Sequence, residues 1–261
     1  MYQKENNGME QGKVDLKIKD AVGWITFSHP RSNSLPGKTL AELAQTISDA
    51  GMKDSIRVIV LQSAGDRAFC AGASFDELIE INDTETGERF FNGFANVINT
   101  ARKCPKLIIG RIQGKAVGGG VGLAAATDYC LASEQAFIKL SELAIGIGPF
   151  VVGPAIERKI GLSAFSEMAI NAAEWKDAEW AKNKGLYTQI FTNLKELDKA
   201  VAELASQLSR YSEEAMRSLK AVLWEGTDHW DQLLKERAAI SGQLVLSDFT
   251  KKAIEDFKTR A

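Results

Sequence analysis

The chain carries little from which a metal centre or a disulfide framework is made. Three of its 261 residues are cysteine and two are histidine. Cys70, Cys104 and Cys130 are widely spaced in apolar surroundings and form no C-x-x-C pair, so they read as buried free thiols in a reducing compartment. His29 and His229 stand far apart in the chain, which leaves no metal-ligand spacing, and no metal is expected. No basic block is present: 32 Lys and Arg face 34 Asp and Glu, for a net charge of −2. That balance argues against nucleic acid or an anionic membrane surface as the main partner. No apolar run approaches membrane-spanning length. The opening stretch "MYQKENNGMEQGK" has no signal-peptide core, so residues 1–13 are expected to be a polar disordered tail and the protein cytoplasmic.

What is there is ordinary for a globular protein: 45% apolar and 25% charged residues, enough for one large domain with or without a smaller appendage. "VDLKIKDAVGWITFS" alternates apolar and polar residues on either side of a short turn and predicts a β-hairpin. Leu40, Leu43, Ala44 and Ile47 follow helical spacing after Pro36. "IRVIVLQS", "LIIGRIQG" and "DYCLA" predict strands, the first a nearly continuous apolar run as in a strand buried on both faces. A helix is expected from about Gly87 to Ala101. The alternation of strand and helix predicts an α/β fold over residues 14–191. Beyond "LYTQIF" helical periodicity takes over: Leu197, Val201, Leu204, Ala205 and Leu208 mark one face of a C-terminal helical region, residues 192–261. Such helices either complete a site or an oligomer interface, or pack on their own core.

The unusual stretch is "GKAVGGGVGLAAATDYCLA", where three glycines open an alanine-rich helix. Glycine is poor inside a helix, so Gly118, Gly119 and Gly120 imply that something approaches the backbone closely. Gly120, Gly122 and Ala125 fit G-x-G-x-x-A, with Glu142 near the spacing of a ribose-binding acid, but the first glycine does not end a strand and the helix is too short for a crossover. No Gly-Lys-Ser/Thr follows, which excludes a P-loop. The remaining reading is a helix N-terminus offering an N–H to a carbonyl oxygen. A second donor is expected on "DRAFCAGASFDEL", where Ala71, Gly72 and Ala73 lead to a helical start near Phe75. Two such N–H groups form an oxyanion hole.

Taken together and in order, "AFCAGASFDEL", "GGGVGLAAATD" and "KLSELAIGIGP" resemble the signature segments of the crotonase superfamily, the enoyl-CoA hydratase/isomerase family. The resemblance covers most of the chain. It implies a spiral of ββα units with a C-terminal helical region that covers the active site and mediates assembly as homotrimers or dimers of trimers. It also implies an acyl-CoA substrate, with coenzyme A part of the substrate and no separate cofactor. Matched residue by residue, it places the oxyanion donors on Ala73 and Gly119. The CoA thioester then lies along Ala71, Gly72, Ala73, Gly118 and Gly119, and the catalytic glutamate is Glu142.

Two positions depart from the family pattern. Gly122 stands where hydratases commonly carry a second glutamate, and Ser74 stands where an aspartate is usual. One glutamate alone fits an enoyl-CoA delta-isomerase that shuttles a proton between Cα and Cγ. "GGGVGL…D…SE…G" resembles instead the bacterial methylglutaconyl-CoA hydratase branch. Enoyl-CoA hydration is therefore the leading expectation, isomerisation by Glu142 alone the second, and a non-catalytic acyl-CoA-binding homologue the third. Lys139 is a candidate partner for a substrate carboxylate and Arg67 for a CoA phosphate, although each also reads as an ordinary surface residue. Asp128 is expected to fix a turn.

Overall fold

The expected hairpin is formed by β1 (Lys13–Lys19) and β2 (Val22–Ser28), paired antiparallel around Asp20 and Ala21. The computed structural model describes residues 12–260. Most of the N-terminal tail expected over residues 1–13 thus lies outside the described residues, while β1 already begins at Lys13. Pro36 precedes α1 (Gly37–Met52), which buries Leu40, Leu43 and Ile47 along one face. Then come β3 (Val58–Ser63), β4 (Ala68–Cys70), α2 (Phe75–Glu80) and α3 (Thr84–Lys103). Asp83 caps α3 by accepting from Thr86 N at 2.7 Å, and Arg102 and Lys103 complement the dipole at its far end. Next are β5 (Leu107–Ile112), β6 (Lys115–Val117), α4 (Gly119–Ala125), β7 (Tyr129–Ser133) and β8 (Ile138–Lys139). A 3-10 turn, Leu143–Ile145, leads to α5 (Gly153–Ile170), α6 (Ala178–Asn183) and β9 (Gln189–Phe191). The chain closes with α7 (Leu194–Leu208), α8 (Glu213–Leu223), α9 (Trp230–Leu244) and α10 (Asp248–Arg260).

The main sheet has six strands in the order β1-β2-β3-β5-β7-β9, parallel from β2 onward. Alternation along its strands assigns the two faces. Ile59 and Leu61 join the large core that includes α1 and α3, while Val58 and Val60 meet Leu197, Val201 and Ala205 of α7. Both faces are covered, which is why these strands read as unbroken apolar runs. The first of the C-terminal helices therefore packs on its own core.

A second sheet was not legible in the sequence. Its strands β4, β6 and β8 are three, three and two residues long and pair in parallel, Cys70 with Ala116 and Val117 with Lys139. Pieces this short carry no readable period. The two glycine-bearing loops leave this small sheet, not the ends of β3 and β5.

Asp128 does more than fix a turn. It is buried, and it accepts from Lys220 Nζ at 2.8 Å, Trp224 Nε1 at 2.6 Å and Ile108 N at 2.7 Å. This pinning of α8 to β5 and β7 is structural. Among the described residues, no helix is long and apolar enough to cross a membrane.

Candidate active site

The three strands of the small sheet run parallel and end at the same edge, and each hands its chain directly to one of the three segments singled out above. After β4 comes Ala71-Gly72-Ala73, after β6 comes Gly118-Gly119, and after β8 comes Ser141-Glu142. Their convergence is a consequence of pairing register, because strands aligned side by side release their loops side by side. Gly118 N donates to Lys139 O at 2.8 Å and ties the second segment to the third. Ligands in α/β sheets lie outside the carboxyl ends of parallel strands, and the cavity here does too.

Gly72 and Gly118 both take positive φ, +88° and +50°, which a side chain resists. A methyl group on Gly72 would stand 2.9 Å from Val117 O and 3.6 Å from Gly119 N, so the two loops touch backbone to backbone. Leu35 N donates to Gly72 O at 2.8 Å, so the bridge between Leu35 and Ala73 engages that carbonyl and not the Ala73 N–H. At the start of α4, Val121 and Gly122 donate to Gly118 O at 2.9 and 3.2 Å. That leaves the Gly119 N–H as an open first-turn donor. The close approach inferred from the glycines extends to the far side of Gly119, where a Cβ would collide with the ring of Phe94.

Glu142 lies directly over Gly118: a methyl group there would be 2.6 Å from its Oε1. The residue keeps some surface, but its Oε2 is buried and has no hydrogen-bond partner among the described residues. Burial pushes its pKa up to about 7, with its own backbone N–H opposing the shift. Such a carboxyl exchanges a proton readily at neutral pH. The cavity it faces holds about 550 Å³ of empty space, its open mouth included, and Ala71, Gly72, Ala73, Gly118, Gly119 and Glu142 all line it. The expected site residues are therefore together.

Four further positions singled out in the sequence take other places. Lys139 does not line the cavity; its ammonium lies 5.5 Å from the centre of the Trp175 ring. Arg67 is exposed and also away from the lining. Ser74 is buried and caps α2 by accepting from Glu77 N at 3.5 Å. Position 122 has no room for a glutamate, since a Cβ there would meet Val152 Cγ1 at 2.5 Å and Cβ at 2.7 Å. Val152 fills the volume that a second acid would need.

Sequence reasoning missed the walls. Phe91 and Phe94 from α3, Phe150 to Val152 before α5, and Ser241 from α9 all line the cavity. The phenylalanines were visible as the apolar face of a helix, which by itself reads as core. No local signal marks Ser241.

Comparison with known proteins accords with this arrangement. The family model described as enoyl-CoA hydratase/isomerase matches residues 17–259. A probable enoyl-CoA hydratase of Bacillus subtilis is 26% identical over 246 residues, covering 94% of this chain and 95% of that protein. A mitochondrial methylglutaconyl-CoA hydratase of Mus musculus is 30% identical over 230 residues, 87% of this chain and 69% of that protein. Among solved structures, the enoyl-CoA hydratase from Bacillus halodurans superposes with a TM-score of 0.86 at 22% identity, covering 93% of this chain and 99% of that one. This last likeness shows the fold.

Proposed function

The chain belongs to the enoyl-CoA hydratase/isomerase family, and on that premise we propose that this acyl-CoA enzyme adds water to the α,β double bond of a short enoyl-CoA, or removes it. The observation that carries the reading is Glu142 Oε2, a buried carboxylate oxygen without a partner among the described residues, beside two glycine-bearing loops in a cavity whose remaining side chains are apolar apart from Ser141 and Ser241. An unpaired buried carboxylate is costly, and a native fold keeps one where a ligand completes it.

The thioester oxygen sits between the N–H groups of Ala73 and Gly119. Charge that builds on it in the enolate is stabilised there, each donor being worth roughly 10²–10³ in rate. Water attacks Cβ while Glu142 takes one of its protons, and the π electrons move onto the thioester oxygen. Glu142 then returns the proton to Cα, the thioester carbonyl reforms, and the carboxylate is regenerated. One carboxylate is enough because a single proton is moved from oxygen to carbon. Phe75, Phe91, Phe94 and Phe150 among the lining residues support a short apolar acyl chain. The hydratase names of both relatives support hydration as the reaction.

A second reading rests on Val152. Because it fills the space above Gly122, the site is built around one acid, which also suits transfer of a proton between Cγ and Cα. Crotonyl-CoA and a trans-3-enoyl-CoA separate the two. Hydration is expected on the first, with conversion of the second at least about tenfold slower in kcat/KM, a difference of about 1.4 kcal/mol in barrier. The reverse order overturns hydration in favour of isomerisation.

A further inference from the structure

We propose that Ser241 is the second polar group of the reaction, its hydroxyl and the Glu142 carboxylate holding between them the oxygen that bonds to the acyl β-carbon. The assignment rests on the hydration reading above, and it begins from the packing of two helices. α3 and α9 run antiparallel. At one end Arg102 Nη2 donates to Asp231 Oδ1 at 2.7 Å. At the other, Gly87 and Gly242 meet with no side chain between them: a methyl group on Gly87 would lie 2.6 Å from Gly242 O, and one on Gly242 would collide with Glu88 N. This contact draws α9 against α3 beside Phe91 and Phe94, and the residue just before Gly242 becomes part of the cavity wall.

That residue is a serine, 1% exposed. A buried serine inside a helix ordinarily turns its hydroxyl back to the carbonyl one turn earlier. Here no hydrogen bond joins the Ser241 hydroxyl to another described residue. Glu142, whose Oε2 is without a partner among the described residues, lines the same cavity. A buried polar group left without a partner is costly, and a small molecule that donates to Glu142 and accepts from the Ser241 hydroxyl satisfies both. Water does so, and so does the hydroxyl of a 3-hydroxyacyl group. In the hydration direction the Ser241 hydroxyl donates to the water oxygen while Glu142 accepts its proton. The oxygen forms its bond to Cβ, Glu142 passes the proton to Cα, and Ser241 ends as donor to the product hydroxyl with its own proton unmoved. Sequence spacing could not have found this residue, because its place depends on a glycine contact between helices far apart in the chain.

The test compares the unmodified enzyme with Ser241→Ala and Ser241→Cys in two reactions. One is hydration of crotonyl-CoA. The other is exchange of the Cα proton of butyryl-CoA with deuterated water, which uses Glu142 and the thioester donors but places no oxygen at Cβ. Loss of one hydrogen bond to a reacting polar group predicts a fall in hydration kcat of about 10–100-fold for both variants. Exchange is expected to stay within about twofold, since its proton path is intact. Equal losses in both reactions would mean that Ser241 only supports the cavity wall. Undiminished hydration would mean that it holds no oxygen. Either result overturns the assignment while leaving the hydration reading in place. If the unmodified enzyme exchanges the Cα proton yet hydrates no enoyl-CoA, the hydration reading falls and the assignment with it.

Discussion

Replacing Glu142 by glutamine should make the protein more stable at alkaline pH than it is now. In the folded chain this carboxyl titrates near 7, against 4.5 for an unperturbed glutamate. Below about pH 4.5 the proton is bound in both states and the group is neutral in stability. Between the two values the folded state holds the proton and the unfolded chain has released it. Stability therefore falls as pH rises, at up to about 1.4 kcal/mol per pH unit. Above about 7 the loss is complete, at roughly 3 kcal/mol, an upper value because water entering the cavity solvates the carboxylate. Glutamine does not titrate and carries none of this dependence, and any difference its amide makes is the same at every pH. Urea unfolding of both proteins from about pH 4.5 to 8.5, at one protein concentration, isolates the titrating part. The difference in stability, variant minus parent, should grow by about 2–3 kcal/mol across that range and then level off. Parallel pH profiles would refute the reasoning, since they would mean that Glu142 ionises in the folded protein as it does in water.

Three further outcomes follow from the same geometry. Gly119→Ala should lose activity and stability by overpacking against Phe94, by about 1–3 kcal/mol; adding Phe94→Ala should recover the fold, and with Phe94→Ala in place Gly119→Pro, which lacks the N–H, should still lose about 10²–10³ in kcat. Recovery of kcat by the proline double variant would exclude this N–H as an oxyanion donor. Gly122→Glu alone should be destabilised by its collision with Val152, and Gly122→Glu with Val152→Ala should melt closer to the parent; equal melting temperatures for the two would show that Val152 does not fill that space. Lys220→Met should cost about 3–5 kcal/mol in urea unfolding, because Asp128 would be left charged and buried without its cation; a loss under about 1 kcal/mol would mean that Trp224 and Ile108 suffice.

The parts of the fold that were legible in the sequence are those made by long local patterns. The hairpin around Asp20, the unbroken apolar strands and the face of α7 each extend over enough residues to show a period. The glycines of the site were legible because backbone contact excludes side chains, and Gly72, Gly118 and Gly119 each touch another segment. Glu142 stood out only through its resemblance to a known pattern; as a lone glutamate before a short turn it reads as a cap. The small sheet was hidden by strands of three residues or fewer. Val152 over Gly122, Phe94 against Gly119 and Gly242 against Gly87 were hidden for a different reason. Each is a contact between elements distant in sequence, and nothing in the local spelling of either partner announces the other. The absence of an acid at position 122 was visible as a departure, but that its volume is already occupied required the packing of the segment before α5.

The most direct measurement is the pH dependence of kcat/KM for crotonyl-CoA hydration by the unmodified enzyme and by Glu142→Gln. With one carboxylate as the proton carrier, the parent rate should rise tenfold per pH unit at low pH and bend to a plateau near pH 7, the value to which burial pushes this group. The glutamine variant should stay at least about 10²-fold below that plateau at every pH while remaining folded. A variant that turns over at close to the parent rate, or a parent profile flat down to about pH 5, would contradict the assignment of Glu142 as the group that carries the proton.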